Sequence, residues 1–363
     1  MSNPDPTLLS YLKATVAAGA SDLHITSGRP ATVRRDGVLV PFEGVPLLEP
    51  HDTERMVLSL LADHHRAELE TDKQVDFSFG VRELGRFRAN AFNQRGSYAL
   101  ALRVVPSRVR ALEELGTPQA CTDLLNRPYG LVLVVGPTGS GKSTTLAAMV
   151  DRINETKPCH ILTIEDPIEY LHRHKMAMVN QREVGADVNS FTDGLRSALR
   201  EDPDVVLLGE MRDLDTVETA LMAAETGHLV IATLHTPDAA QTLQRIASVF
   251  PQQQQESIAY QLAGSLQGVI SQRLLPRATG SARVLAVEIC IANTAVRNMI
   301  REGNVHQLRN EIMTGRKHKM QLMDNVLLDL YQRGEITYDV AVSNCHDGDF
   351  IAQRTKRATE GRG

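Results

Sequence analysis

The chain has 363 residues, more than one compact core usually carries, so two domains are expected. Its 39 basic and 44 acidic side chains leave a formal net charge of −5, which argues against nucleic acid as the main partner, because gripping a phosphate backbone needs a basic footprint. Cys121, Cys159, Cys290 and Cys345 are scattered without CxxC spacing, which excludes a four-thiolate zinc site and gives no reason to expect disulfides. There is no run of 18 apolar residues, and MSNPDPTLLSYL lacks the basic-then-apolar form of a signal peptide, so a cytoplasmic location is expected.

Leu8, Leu9, Leu12 and Val16 fall at helical spacing ahead of Gly19, predicting a first helix over 5–18. SDLHIT at 21–26 alternates as a strand, and TVRRDGVLV at 32–40 reads as a hairpin around Asp36-Gly37. A helical pattern covers 53–70, and the period returns to two through VDFSFGV, GRFRANAF and SYALALRVV. Residues 1–105 therefore form a small α+β domain. In the strand 86–92, Phe87, Ala89 and Ala91 share one face and Arg86, Arg88 and Asn90 the other. The two arginines are either a solvated face or a surface that reaches a nucleotide in a neighbouring subunit. Residues 106–128, with three prolines and one short helical piece at 120–125, read as an interdomain linker merging into a second domain over 129–346.

That domain opens on LVLVVGPTGSGKSTT at 131–145, which joins a buried strand, a glycine turn and a helix start. The GxxxxGK[ST] spacing is that of a P-loop: Gly136, Pro137, Thr138, Gly139, Ser140, Gly141, Lys142, Ser143 and Thr144 would cradle a nucleotide. Glycines let successive N–H groups face the phosphates, Lys142 supplies a point charge, the Ser143 hydroxyl is placed to ligate Mg²⁺, and the helix dipole favours the same anion. Further apolar runs at 160–164, 205–209 and 229–234 alternate with helices at 191–200 and 214–225, the α/β pattern of a parallel sheet. Ligands of such sheets collect at the carboxyl ends of the strands.

Three acidic or imidazole groups stand at those ends. Glu165, the first acid after Ile164, is the preferred general base for water, the alternative being an acidic cluster at a helix start. Glu210 follows Gly209, which occupies the usual place of a metal-holding aspartate; Glu210 then acts on Mg²⁺ or its water shell, or shares the base role. His235, after Leu234, is placed to register loss of a γ-phosphate, with His228 at the other end of the same strand at the site's edge.

GPTGSGKST, ILTIEDPIEYLH, DVVLLGEMRD and GHLVIATLHT together resemble the Walker A, Asp, Walker B and His boxes of the secretion-type ATPase superfamily that powers type IV pili and type II secretion. SDLHI and GRFRANAFNQRG are similar to its N-terminal domain, and AVRNMIRE at 295–302 resembles a helix motif of its retraction branch, the PilT-type twitching-motility ATPases. That motif also makes an apolar stripe of Val296, Met299 and Ile300, leaving Arg297, Asn298, Arg301 and Glu302 outward. The resemblance implies a RecA-like P-loop domain with a parallel-rich sheet, preceded by a PAS-like domain. It further implies hexameric rings, ATP with Mg²⁺ held by Ser143 and Glu210, and catalysis by Lys142, Glu165 and Glu210 with His228 and His235. Arg86 and Arg88 lie in the segment that resembles the one contributing arginines to a neighbour's site in that family. The expected role is an ATP-driven motor for pilus retraction. It would dock on an inner-membrane platform protein at the cytoplasmic face, with peripheral membrane contact only. Pilus assembly or type II secretion, and a nucleotide-binding accessory partner of a motor ring, are the other readings. An extra N-terminal domain and a tetracysteine insertion, usual in assembly and secretion ATPases, are not found in the sequence. The polar tail at 347–363 is expected to be disordered.

Overall fold

The computed structural model describes residues 4–360 apart from 36, 107 and 281. The chain divides into two compact units, Met1–Arg108 with Glu169–Leu171, and Val109–Ile168 with His172–Gly363.

The first unit runs α1 (Pro6–Ala17), β1 (Asp22–Ile25), β2 (Thr32–Arg35), β3 (Val38–Pro41), α2 (Pro50–Leu60), α3 (Asp63–Asp72), β4 (Gln74–Val81), β5 (Gly85–Gln94) and β6 (Ser97–Val104). Its antiparallel sheet has the order β3-β2-β1-β6-β5-β4. Asp5 caps α1 by accepting from Thr7 N and Leu8 N, which fixes where that helix begins. The helical pattern over 53–70 resolves into two helices, because Leu61 and Ala62 both adopt extended backbone. β2 and β3 flank the expected hairpin turn, whose Asp36 lies outside the described residues. In β5 the predicted alternation holds: Phe87, Ala89 and Ala91 are buried and Arg88 is exposed.

In the second unit α4 (Leu112–Leu115) and α5 (Gln119–Leu125) precede β7 (Gly130–Val135). The stretch expected as a linker is thus structured from its middle onward. Leu112, Cys121, Leu124 and Leu125 are buried against β7 and the helix after it, which is why this segment packs rather than tethers. Then come α6 (Lys142–Thr156), β8 (His160–Glu165), β9 (Met178–Glu183), α7 (Phe191–Ala198), β10 (Val205–Leu208), α8 (Leu214–Glu225), β11 (Leu229–Leu234), α9 (Ala239–Ser248) and α10 (Gln252–Ser265). A long hairpin of β12 (Leu266–Pro276) and β13 (Arg283–Ile291) leads to α11 (Thr294–Arg301), α12 (Leu308–Thr314), α13 (Met323–Gln332), α14 (Tyr338–Asn344) and α15 (Gly348–Glu360).

The sheet order is β13-β12-β7-β11-β10-β8-β9, with every pairing parallel except β12 with β13. Leu131, Leu133 and Val135 enter one core while Val132 and Val134 enter another on the opposite face, so β7 had to be a continuous apolar run. The register aligns Val135 with Leu234, and Leu208 with both Ala232 and Ile164. Gly136, His235, Gly209 and Glu165 therefore leave the same edge of the sheet.

The tail departs from expectation. Residues 348–360 form a helix, and Ile351 is fully buried with Leu275, Leu327 and Leu330, an apolar anchor that the polar composition around it concealed.

Candidate active site

The loop after β7 is built around glycines with positive φ, and at Gly136 a side chain would also collide with its neighbours. Gly136, Gly139 and Gly141 have φ of 148°, 79° and 89°. A Cβ at Gly136 would lie 2.4 Å from the Gln272 carbonyl oxygen and 2.7 Å from Ser140 Oγ. Pro137, Thr138 and Gly139 stand exposed at the tip of the loop, and Ser143 and Thr144 lie in the first turn of α6. Lys142 is buried, and its Nζ donates to Gly136 O at 2.7 Å and Pro137 O at 3.1 Å. Two backbone oxygens thus hold the ammonium over the turn that its positive charge serves.

His235 links this lysine to the next strand end. Lys142 Nζ is 3.4 Å from His235 Nδ1, and His235 Nε2 is 3.2 Å from Glu210 Oε1. An ammonium only donates and a carboxylate only accepts, so both contacts are satisfied by the neutral imidazole that carries its proton on Nε2. Glu210 Oε2 receives Arg212 Nη2 at 2.8 Å. Burial pushes the Glu210 carboxyl up, but the Arg212 hydrogen bond, the charge that His235 carries when protonated and the Arg212 charge outweigh it and hold the group below the usual carboxylate range. The result is a continuous polar chain from loop to lysine to imidazole to carboxylate to guanidinium.

Glu165 stands one strand further out. Its Oε1 accepts from Thr163 Oγ1 at 2.7 Å and from Gln181 Nε2 at 3.1 Å, while Gln181 Oε1 accepts from His172 N at 2.8 Å. The backbone donor at His172 fixes which way the Gln181 amide faces. Gly209 explains the missing aspartate: a Cβ there would sit 3.3 Å from both Glu165 Cα and Ile164 O. The Gly209 N–H donates to Ile164 O at 2.8 Å and its carbonyl accepts from Thr233 Oγ1, so β8, β10 and β11 are laced together at this edge.

The structure brings together Lys142, His235 and Glu210, and leaves His228 apart. His228 precedes β11 and its Nδ1 lies 3.0 Å from Ala223 O; six residues of strand, about 20 Å, separate it from His235. Within the first unit, Arg86 donates to Ser78 Oγ and Arg88 is exposed. Arg212, Thr163, Gln181 and Gln272 were not foreseen. Arg212 had a signal, two residues after Glu210; the glutamines had none, since each enters through long-range strand pairing. In α11, Asn293 caps the helix through Val296 N at 2.9 Å. Arg297, expected outward, turns back to donate to the carbonyls of Ala263, Gly264 and Ala292, closing the exposed end of α10.

A family model described as type II/IV secretion system protein matches residues 6–361. The chain belongs to that family. It is 48% identical over 334 residues to a type IV pilus retraction ATPase, PilT, of Pseudomonas aeruginosa, covering 92% of this chain and 96% of that one. A twitching motility protein of Neisseria gonorrhoeae is 50% identical over 308 residues, covering 85% and 82%. A crystal structure of the pilus retraction motor PilT with bound ADP superposes with a TM-score of 0.89 at 52% identity, covering 95% of this chain and 99% of that chain. The fold is accordingly the RecA-like one of secretion ATPases, and the chain is a nucleotide-binding ATPase. Among the described residues, no helix is long and apolar enough to cross a membrane.

Proposed function

We propose that this chain is the ATP-hydrolysing motor of type IV pilus retraction. The observation that carries the reading is the convergence of Lys142, His235 and Glu210 at one sheet edge, in a chain alike over nearly its whole length to a pilus retraction ATPase.

The P-loop N–H groups and Lys142 bind the phosphates of ATP. Glu165, oriented by Thr163 and Gln181, accepts a proton from the attacking water. Lys142 exchanges its contact with His235 for the phosphate, so His235 and the Glu210 it holds report whether phosphate is present. Both Glu210 oxygens already face donors, and hard oxygen ligands suit Mg²⁺, so Ser143 Oγ would hold the ion directly and Glu210 through water. Bound there, Mg²⁺ would neutralise charge on the β- and γ-phosphates. Arg86 or Arg88 of a neighbouring subunit completes the site in a hexameric ring. Turnover then moves one unit against another, passing force to a pilus platform protein at the cytoplasmic face of the inner membrane.

Steady-state phosphate release tests the chemistry. Lys142→Ala should abolish turnover, and Glu165→Gln should lower it at least about tenfold while ATP still binds. Near-normal turnover in Lys142→Ala removes the P-loop argument; a rate within twofold in Glu165→Gln passes the base role to Glu210.

A further inference from the structure

The glycine loop after β7 is gripped from behind by a side chain that belongs to none of the motifs described above. β12 lies beside β7 in parallel register, Ser271 opposite Val135, which sets Gln272 next to Gly136. Gln272 is fully buried. Its Nε2 donates to the Ser140 carbonyl at 2.9 Å. A carbonyl oxygen can only accept, so the amide nitrogen, not its oxygen, must face the loop. The same Nε2 would lie 3.4 Å from a Cβ at Gly141, and the Gln272 backbone oxygen closes off Gly136. The side chain is held against the inner wall of the turn, on a strand pinned between β7 and β13.

The consequence follows from peptide geometry. Among the described residues only Asp166-Pro167 is cis, so the Ser140–Gly141 peptide is planar and trans, and its C=O and N–H point in opposite directions. Gln272 draws the Ser140 carbonyl towards β12. The Gly141 N–H is thereby turned away from β12, and the positive φ of Gly141 lets the chain enter α6 from that orientation. In a glycine-rich phosphate loop these N–H groups are the donors to the anion. Without Gln272 the peptide could rotate, and Gly141 would present oxygen where the phosphate needs a donor.

We propose that Gln272 is a positioning residue of the nucleotide site, locking the Ser140–Gly141 peptide so that the Gly141 N–H is aimed at the phosphates. It acts through the loop backbone, by its bond to Ser140 O. Its effect is on affinity, exerted equally in the ground state and during turnover. The inference rests on the P-loop being the nucleotide site, and a Lys142→Ala control separates the two claims.

The experiment titrates Mg·ADP into the full-length protein and reads both Kd and the number of sites per chain. Gln272→Met keeps length and volume but removes the donor; Gln272→Leu removes it too, with a branched side chain. Loss of one orienting hydrogen bond should raise Kd about tenfold in Gln272→Met and in Gln272→Leu, with site number unchanged. The KM for ATP should rise by the same factor while kcat at saturation stays within about twofold. A merely structural role gives fewer sites at unaltered Kd. That result overturns the proposal, as does a Kd within twofold of wild type in either variant, or failure of both variants to fold. If Lys142→Ala binds ADP like wild type, the nucleotide-site reading itself falls; if it loses ADP while Gln272→Met does not, only this inference does.

Discussion

Replacing Glu210 by glutamine separates the charge of this carboxylate from its shape. The two groups it pairs with are open to solvent: Arg212 is 62% exposed and His235 48%. At such exposure each pair contributes on the order of 0.5 kcal/mol, so Glu210→Gln should lower stability by about 1 kcal/mol, or about 2–4 °C in Tm for a domain of this size. Turnover should suffer far more, falling about a hundredfold, because the carboxylate fixes the His235 tautomer and the metal's water shell in the reading above. Acid sharpens the comparison. The folded carboxyl lies below its ordinary 4.5, so its stabilisation is complete above that value and is lost as pH falls through the lower folded one. The melting curves of wild type and Glu210→Gln should therefore converge as pH drops below 4.5. Thermal melts across pH and phosphate-release assays at neutral pH supply both readings. A Tm loss beyond about 10 °C with turnover within threefold would make Glu210 a structural residue and refute the reasoning.

Other expectations follow from single contacts. Gly209→Asp, which supplies the usual acid, should destabilise by about 1–3 kcal/mol and slow hydrolysis, because its Cβ meets the backbone at Glu165 and Ile164; unchanged melts and rates would contradict this. Arg297→Ala should cost about 1–3 kcal/mol by uncovering the carbonyls of Ala263, Gly264 and Ala292, and Lys, lacking the planar fork, should not restore it in chemical denaturation. Burial pushes the Cys121 thiol up to about 12 and raises Cys290 as well, both in the core. Cys159 and Cys345 are raised by burial as well but are only half-buried, so a thiol reagent near pH 8 should label these two slowly in the native protein and all four rapidly after denaturation.

What could be read from the chain was what local order determines. The P-loop carries its conformation in its own glycines, and β7, β8, β10 and β11 announce themselves as apolar runs because both faces of each are covered. Glu165, Glu210 and His235 were found for the same reason: each directly follows such a run. β9, MVNQRE, is an edge strand with mixed polarity and gave no such signal, so Gln181 stayed hidden with it. Gln272 needed the register of β12 against β7, a pairing across some 130 residues of chain that no spacing encodes. His228 and His235 bound the same strand; the rule that ligands gather at the carboxyl ends of parallel strands singled out His235, and the register to β7 sets that end beside the loop. The tail was misread because one buried residue, Ile351, anchors a helix whose other side chains are mostly polar.

The most direct test of the central claim is a count of surface pili, with surface motility scored, in a host lacking this gene and complemented by the wild-type or the Lys142→Ala chain. A retraction motor predicts excess pili and lost motility, both corrected by the wild type and neither by the variant. Bald cells would show that the motor extends the filament, and unchanged piliation with intact motility would remove it from pilus dynamics altogether.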